Sequence, residues 1–435
     1  MSTLAYRDQQ VIWHPYTQAQ TAPPPIAIKR AQGAYLYTED GTPLFDGISS
    51  WWVNAHGHAH PHINQALARQ AEVLEHVMFA NFTHEPAVAL AEQVLSIAPE
   101  GLSRVFYSDN GSTAVEVALK MAYQYWLHRH QRRSLFIALE HGYHGDTFGA
   151  MSASAPSIFT KAFEPLLFKV LHSKSPCRSE IGDKDEHQLS AQALSYLEEL
   201  LKNNLGTVAA IIIEPMLQGA GGMRMFTAGF LHGIKELSLK YDTLLIADEI
   251  ATGFYRTGTL FACQHENIAP DIMCLAKGLT GGYLPLALTL ASEKIYQAFL
   301  SDDKACALMH GHSFSANPLA CAAALASLEL FNQPEVTQNI AAICQAISSG
   351  IKLFSSLAEV ENARSLGTIA AITLISPEHS YLSKAAQKVH QHCLNQGLFI
   401  RPLGNVVYLL PPLCSSPEEV NWALTTIYDG LSCVK

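Results

Sequence analysis

The sequence predicts an α/β fold whose larger part is a mostly parallel sheet covered by helices. Strand and helix patterns alternate from about residue 100 to about residue 250, which is typical of a layered α/β protein. The runs at 207–215 and 243–250 are almost continuously apolar, as in strands that helices cover on both faces. A chain of 435 residues with 49% hydrophobic content also exceeds what one core usually holds, so we expect two domains.

The individual elements follow from the spacing of their apolar residues. In chain order, the pattern predicts helices at 62–77 and 85–99, a strand at 104–109, a helix at 113–130, a strand at 134–140, and a helix at 230–242 between the two apolar strands. A helix that connects two buried strands is the usual connection in a parallel sheet. The alternation therefore supports the predicted fold class element by element.

The chain is expected to divide into three parts. Residues 1–60 are rich in Trp, Tyr, Pro and Gly and are predicted to be an N-terminal segment that contributes to the small domain and the substrate pocket. Residues 61–329 carry the alternating pattern and are predicted to be the large, cofactor-binding domain. Residues 330–435 mix helices with short strands, so a smaller α+β domain is expected there.

Charge and composition argue against several classes of function. The net charge of −10 and the absence of a dense Lys/Arg run make nucleic acid and membrane surfaces poor partners. No run of about 18 apolar residues occurs, and the N-terminus lacks the pattern of a signal peptide. The nine cysteines form no C-x-x-C pair. Reduced, packed cysteines in a cytoplasmic protein are therefore expected.

The segment SDNGSTAVEVALK (108–120) predicts an anion site. A strand end leads through Gly111 into a helix, which we expect to begin at Ser112 or Thr113. Thr113 and Glu116 have the spacing of a capping box. The free N–H groups of a helix N-terminus bind anions, and phosphate most often.

Two further residues complete a recognisable set of chemical groups. Asp248 ends an apolar strand, and Lys277 follows it by 29 residues in an apolar, glycine-flanked stretch. Burial lowers the pKa of such a lysine and makes it a nucleophile for carbonyl carbon. A lysine, a carboxylate and an anion site together are what pyridoxal phosphate requires. The sequence therefore predicts this cofactor.

Longer motifs resemble the fold type I pyridoxal-phosphate enzymes and, within them, the class III aminotransferases. These motifs are IIIEPMLQGAGGM (211–223), LLIADEIATGFYRTG (244–258), CLAKGLTGG (274–282) and GHSFSANPLACAAALASL (311–328). A narrower resemblance is to the branch of this family that forms 7,8-diaminononanoate in biotin biosynthesis. It is carried by WHPYT (13–17), DGISSWW (46–52), HGYHGDTFGAMS (141–152), EPMLQGAGGMRM (214–225) and RPLGNVVYLLPP (401–412).

The resemblance implies roles on the cofactor side of the site. Lys277 would hold the cofactor covalently and move a proton during the reaction, while Asp248 would pair with the pyridinium nitrogen. Tyr143 would stack on one face of the ring and Ile250 would pack on the other. The phosphate would be held by Gly111 and Ser112 of the same chain and by Ser313 of the neighbouring subunit. This arrangement implies a homodimer with shared active sites.

The resemblance also implies a substrate side. The pocket would be lined by Tyr16, Trp51 and Tyr143. Arg401 would pair with a substrate carboxylate, and Asp146 and Arg256 would lie near the substrate amine or carboxylate. Glu214 and Gln218 would surround Asp248 and the ring hydroxyl of the cofactor.

The implied substrates are S-adenosylmethionine as amino donor and 8-amino-7-oxononanoate as acceptor. Lysine is the alternative donor, and an ornithine-, GABA- or diamine-type ω-aminotransferase is the alternative enzyme, which residues 13–17 and 51–52 argue against. A non-catalytic pyridoxal-phosphate-binding regulator would require an additional basic DNA-binding domain. This acidic chain shows no such segment.

The segment WWVNAHGHAHPH (51–62) suggests a zinc site, because four histidines alternate along it. Gly57 and Pro61 make a long regular strand improbable, and no cysteine or nearby carboxylate completes a ligand set. We therefore expect no metal and interpret the histidines as turn and packing groups. Trp51 is expected to form a pocket wall, with Trp52 packed behind it.

Overall fold

The computed structural model describes residues 3–178, 185–376, 381 and 383–432. The strands are β1 (Ile28–Gln32), β2 (Tyr35–Thr38), β3 (Pro43–Asp46), β4 (Leu102–Ser108), β5 (Leu135–Leu139), β6 (Val170–Ser173), β7 (Val208–Ile213), β8 (Leu217–Gln218), β9 (Arg224–Met225), β10 (Leu244–Asp248), β11 (Ile272–Leu275), β12 (Ala287–Ser292), β13 (Val360–Leu366), β14 (Ile369–Leu374), β15 (Leu398–Phe399) and β16 (Val406–Leu409).

The helices lie between and around these strands. They are α1 (Leu4–Val11), α2 (Ser49–Trp52), α3 (Pro61–Ala71), α4 (Glu85–Ile97), α5 (Gly111–His128), α6 (Phe148–Ala153), α7 (Glu186–Asn203), α8 (Phe230–Lys240), α9 (Glu293–Ala298), α10 (Pro318–Phe331), α11 (Pro334–Gly350), α12 (Gln387–Asn395) and α13 (Pro417–Ser432), with short 3₁₀ helices at Lys161–Leu166, Ala262–Glu266, Lys277–Thr280, Lys304–Cys306 and Ile351–Ser356. None of the helices in the described residues is both long and apolar enough to cross a membrane.

A seven-stranded sheet with the order β4-β12-β11-β10-β7-β5-β6 forms the centre of the fold. β10 pairs in parallel with β7 and β11, and β5 pairs in parallel with β6 and β7. β12 runs antiparallel to β4 and β11. The prediction of a mostly parallel sheet is confirmed.

Helices cover this sheet on both faces. In β7, Ala210 and Ile212 pack in the apolar cluster that contains α5, whereas Ile211 and Ile213 pack in the cluster that contains α7 and α8. All six residues of β7 are buried. This two-sided burial accounts for its continuous apolar sequence and leaves the strand ends as the places for polar groups.

Two smaller sheets involve the ends of the chain. β13, β14 and β16 form an antiparallel sheet, and β1, β2 and β3 form another that β15 joins in parallel. Two main-chain bonds at Gly47 add to this junction, because its N–H donates to Phe399 O at 2.9 Å and its O accepts from Leu410 N–H at 2.8 Å. The N-terminal strands thus pair with the C-terminal part of the chain. The three-part division into domains stays a prediction.

The start of α5 differs from the prediction. The helix begins at Gly111 with Asn110 as its N-cap, and the capping box joins Asn110 to Thr113 rather than Thr113 to Glu116. Asn110 Oδ1 accepts from Thr113 N–H at 3.1 Å, so the amide side chain of Asn110 caps the helix. The predicted start at Ser112 or Thr113 was therefore wrong. The carboxylate of Glu116 instead accepts from Gly149 N–H at 2.7 Å, at the start of α6.

The histidines at 56–62 each have a partner within the protein. His56 Nε2 lies 2.9 Å from Ser327 Oγ, and His58 Nε2 donates to Asp46 Oδ2 at 3.0 Å. His60 caps α3, and His62 Nε2 lies 2.6 Å from Glu329 Oε2. Within the described residues, no group of three or more His, Cys, Asp or Glu could hold a metal ion.

Candidate active site

Two adjoining cavities lie beyond the carboxyl ends of the parallel strands. The first, about 680 Å³, is the helix-end cavity, since the N-terminus of α5 borders it. The second, about 380 Å³, is the aromatic cavity, and it is lined by Tyr16, Trp51, Trp52, Val53, Tyr143, Asp146, Phe159, Ala220, Lys277, Tyr381, Arg401, Leu403 and Tyr408. Both cavities are lined by Trp52, Val53, Tyr143, Asp146 and Lys277. Most of the predicted cofactor and substrate residues therefore meet at one place.

Lys277 lies at the junction of the two cavities. It begins the short 3₁₀ helix after β11, and its Nζ is 4.7 Å from the ring centroid of Trp52. Burial lowers its pKa from 10.5 to about 8, although the charges of Asp248 and Glu214 oppose this change. A lysine with this pKa supplies a free amine near neutral pH, as the sequence predicted.

Asp248 ends β10 and is held by groups on both carboxylate oxygens. Its Oδ2 accepts from His144 Nδ1–H at 2.7 Å, and its Oδ1 accepts from Ile250 N–H at 3.2 Å. Asp248 and His144 are each about 3% exposed. Because Nδ1 donates to the carboxylate, the other ring nitrogen of His144 is left for a further partner, and Nε2 is buried with no hydrogen-bond partner in the described residues.

Glu214 lies behind Tyr143 and borders the helix-end cavity. Its Oε2 accepts from Tyr143 N–H and its Oε1 accepts from Gly219 N–H, each at 3.0 Å. Burial, together with the charge of Asp248, raises the pKa of this carboxyl from 4.5 to about 7, although the charge of His144 opposes this change. Glu214 is therefore able to carry a proton near neutral pH and to donate it to an acceptor in the cavity.

The N-terminus of α5 reaches the helix-end cavity because Gly111 has no side chain. A Cβ at Gly111 would lie 2.8 Å from Cγ2 of Ile250, which packs against this turn. Ser112 Oγ accepts from Thr147 N–H at 3.0 Å and lies 2.7 Å from Thr147 Oγ1. These contacts fix the first turn of the helix, whose exposed N–H groups and dipole favour an anion.

Aromatic rings and one guanidinium form the aromatic cavity. Tyr16 and Trp51 meet edge to face at 5.6 Å, and Tyr16 Oη donates to Asp146 Oδ2. Cζ of Arg401 lies 4.6 Å from the ring centroid of Trp51. Burial, with the hydrogen bond to Asp146, raises the pKa of Tyr16 to about 12, and burial likewise raises the pKa of Tyr143. Both phenols are therefore neutral donors across the physiological range.

Three predicted site residues do not line either cavity. Arg256 is almost completely buried, and it donates from Nη1 to Pro411 O and from Nη2 to Asn54 O, each at 2.8 Å. Gln218 is buried beside Glu140, whose O accepts from its Nε2 at 2.8 Å. Ser313 is exposed, outside both cavities of this chain. The side-chain donors of Arg256 and Gln218 thus bind main-chain carbonyl groups outside both cavities.

Sequence reasoning missed His144, Phe159 and Tyr381. His144 lies inside the quoted motif HGYHGDTFGAMS, and its position next to Tyr143 was the available signal. Phe159 and Tyr381 pack at 4.7 Å between ring centroids, and both line the aromatic cavity. They are 222 positions apart in the sequence, so no local spacing relates them.

The comparisons with known proteins agree with this geometry. Residues 16–431 match the aminotransferase class-III family. The chain is a class III aminotransferase. A Synechococcus elongatus protein named adenosylmethionine-8-amino-7-oxononanoate aminotransferase is 49% identical over 420 residues, which cover 97% of this chain and 98% of that protein.

Solved structures of relatives share the fold. The crystal structure of the Methanocaldococcus jannaschii protein with the same name has a TM-score of 0.93 and 36% identity, covering 99% of this chain and 98% of its own. An omega transaminase from Pseudomonas jessenii, solved in complex with PMP, has a TM-score of 0.94 and 29% identity, covering 100% and 98%. The predicted fold, that of the type I pyridoxal-phosphate-dependent transferases, is confirmed.

The residues of this class III aminotransferase fit pyridoxal phosphate, the cofactor of the family. The helix-end cavity brings together the amine of Lys277, the carboxylate of Asp248 and the first turn of α5, which are the three groups the cofactor requires. Glu214, expected beside the ring hydroxyl, adds a protonatable carboxyl, and His144, which was not expected there, adds a buried nitrogen that has no hydrogen-bond partner among the described residues. The role of each residue stays a prediction.

The pKa of Lys277 predicts how the cofactor attaches to the apoprotein. Only the free amine reacts with an aldehyde, so the attachment rate should rise about tenfold per pH unit below the pKa and level off above about 8. Rapid-mixing absorbance of apoprotein with pyridoxal phosphate measures this rate. A rate that continues to rise to pH 10 would show that burial does not lower the pKa of Lys277.

Proposed function

We propose that this class III aminotransferase transfers an amino group from S-adenosylmethionine to 8-amino-7-oxononanoate and forms 7,8-diaminononanoate for biotin synthesis. Relatives that cover nearly the whole chain at 36–49% identity carry a name that states these two compounds. The residues of the narrower resemblance, Tyr16, Trp51 and Arg401, all line the aromatic cavity. The proposal therefore has support from the relatives and from the site.

The composition of the aromatic cavity carries the proposal. A ping-pong reaction requires one pocket to accept two unlike molecules in turn. Aromatic walls meet this demand because they bind apolar area and shape rather than one charge pattern. Arg401 supplies a fixed cation over Trp51, and no described carboxylate or carbonyl accepts a hydrogen bond from it. Its guanidinium is thus available to the carboxylate of 8-amino-7-oxononanoate.

Four residues that line the helix-end cavity have a part in this reaction. When bound, the cofactor withdraws electrons from the substrate carbon and stores the transferred amino group. Lys277 Nζ, as a free amine, accepts the proton from that carbon and later donates it again. Asp248, held by His144 Nδ1–H, keeps a negative charge at the end of β10. Glu214, which lines the same cavity as Asp248, donates or accepts a proton there.

The same proposal includes a homodimer whose active sites are completed by Ser313 of the neighbouring subunit. Ser313 lies in an exposed segment, and the side chains of Met309 and Phe314 beside it are 72% and 60% exposed. Phe314 packs at 5.0 Å against His76, whose neighbour Met78 is also exposed. Exposed apolar side chains gathered in this way are typical of a subunit interface. We place this enzyme in the cytoplasm, where buried thiols such as Cys263 and Cys274 stay reduced.

The visible spectrum of the purified holoenzyme tests the substrates. S-adenosylmethionine should bleach the absorbance of the bound cofactor, and 8-amino-7-oxononanoate should then restore it. Lysine and ornithine are the matched alternative donors and should leave the spectrum unchanged. Bleaching by lysine but not by S-adenosylmethionine would overturn the donor. Failure of 8-amino-7-oxononanoate to restore the absorbance would overturn the acceptor.

A further inference from the structure

The two tryptophans of the site stand on a left-handed turn. The φ angles of Ser49, Ser50, Trp51 and Trp52 are 50°, 46°, 71° and 72°, so all four residues of α2 lie in the left-handed region. Residues with a Cβ avoid this region and usually enter it singly. A run of four at an active site indicates that surrounding contacts impose the conformation.

The carboxylate of Asp46 binds this turn at Ser50, while Ser49 Oγ–H donates to Leu410 O at 2.8 Å. Its Oδ1 accepts from Ser50 N–H at 2.9 Å, and its Oδ2 accepts from Ser50 Oγ–H at 2.7 Å. His58 Nε2 donates to the same Oδ2 at 3.0 Å. Asp46 is completely buried, so it binds these donors without competition from water. Two of the three bonds go to Ser50, at the centre of the strained run.

The turn decides where both indole rings lie. Trp51 carries its ring under Arg401 and against Tyr16 in the aromatic cavity. Trp52 points into the protein, where Nε1 donates to Tyr408 Oη at 3.0 Å and the ring faces Lys277. A right-handed turn would direct these rings elsewhere, because the direction of a side chain follows the backbone.

We propose that Asp46 is a positioning residue, which holds the left-handed turn Ser49–Trp52 and thereby sets Trp51 and Trp52 as the walls between which the substrates bind. Asp46 lines neither the helix-end cavity nor the aromatic cavity. It acts on substrate selectivity through the backbone of Ser50. The choice of substrates in the test rests on the proposed function. The role of Asp46 in fixing the conformation of Ser49–Trp52 does not depend on it.

The test compares Asp46→Asn with the double variant Asp46→Asn/Ser50→Gly in the holoenzyme. Asp46→Asn keeps the shape but removes the charge that binds Ser50 and His58. Because a misplacement of about 1 Å costs about 100-fold, kcat/KM for S-adenosylmethionine should fall about 100-fold. The near-ultraviolet circular dichroism of the tryptophans should weaken as well. Glycine adopts the conformation of Ser50 without strain, so the double variant should recover part of both signals.

A second pair of variants keeps Asp46 intact. Ser50→Ala and Ser50→Gly both remove the hydroxyl, but only alanine keeps the cost of a positive φ. Ser50→Ala should therefore lose more of kcat/KM and of the dichroism than Ser50→Gly. Asp40→Asn, in the exposed turn between β2 and β3, is the matched control and should behave as wild type.

Two results would overturn the proposal. One is a double variant whose kcat/KM and dichroism are no better than those of Asp46→Asn, combined with equal losses of kcat/KM in Ser50→Ala and Ser50→Gly. The other is an Asp46→Asn enzyme with unchanged dichroism and kinetics. If the wild-type enzyme rejects S-adenosylmethionine, the proposed function fails by itself. The dichroism and the kinetics with the donor that does react still decide the role of Asp46.

Discussion

Replacing Lys277 with alanine is expected to abolish turnover and cause the largest loss among the variants considered for this protein. Lys277 Nζ is the one amine that borders both cavities in the described residues, and its pKa of about 8 allows it to exchange a proton near neutral pH. Removal of a proton-transfer group costs about 10²- to 10⁴-fold, and the covalent attachment of the cofactor is lost in addition. Steady-state turnover and the visible spectrum of the purified variant measure both losses.

The matched control is Lys294→Ala, because Lys294 is an exposed lysine that pairs with Asp271 at the start of β11, the opposite end of that strand from Lys277. This control should keep wild-type turnover. Addition of a primary amine such as methylamine to the Lys277→Ala protein should restore a small part of the activity, since it replaces the missing base. A Lys277→Ala enzyme that turns over at the wild-type rate would refute the mechanism.

Replacing Asp248 with asparagine is expected to lower kcat/KM about 10²- to 10³-fold, the usual loss when one preorganised charge is removed from a transition state. The side chain keeps its shape, but it no longer holds a negative charge at the end of β10. The bond from His144 Nδ1–H is weakened at the same time. Single-turnover absorbance after mixing with the amino donor measures the proton-transfer step directly.

Asp271→Asn serves as the control for this change. Asp271 precedes β11, and its Oδ2 accepts from Leu245 N–H at 2.9 Å near the opposite end of the sheet. We expect Asp271→Asn to shift the thermal unfolding midpoint but to keep the rate of the single turnover. Equal rate losses in Asp248→Asn and Asp271→Asn would mean that Asp248 contributes only to the stability of the sheet.

Most of the fold could be predicted because its signals are local. The strand at 243–250 became β10, Leu244–Asp248, and the strand at 207–215 became β7, Val208–Ile213. β7 is apolar throughout and β10 is apolar up to Asp248 at its carboxyl end, since burial on two faces disfavours polar residues within a strand. The start of α5 was missed because Asn110, Ser112 and Thr113 are all competent caps. Which of these three residues caps the helix depends on the tertiary contacts of its first turn.

The candidate site was predictable where the cofactor requires a particular chemical group. Lys277, Asp248 and Gly111 were identified from their chemistry and border the same cavity, although their roles stay predictions. Arg256 shows the limit of this approach, because an arginine suits a substrate carboxylate and a pair of buried carbonyls equally well. Only the fold shows that Pro411 O and Asn54 O occupy its guanidinium.

The sequence by itself determined the parallel sheet, the family and the chemical groups at the strand ends, because periodicity and short motifs encode them locally. The tertiary structure alone decided the partners, since His144, Phe159 and Tyr381 reach the site from segments far apart in the chain. It also decided the backbone of Ser49–Trp52, because the bond from Ser49 Oγ–H to Leu410 O joins the bonds of Asp46 in holding a conformation that no local preference would select. Local preference forms the elements, and long-range contacts then fix the positions of the side chains that carry the chemistry.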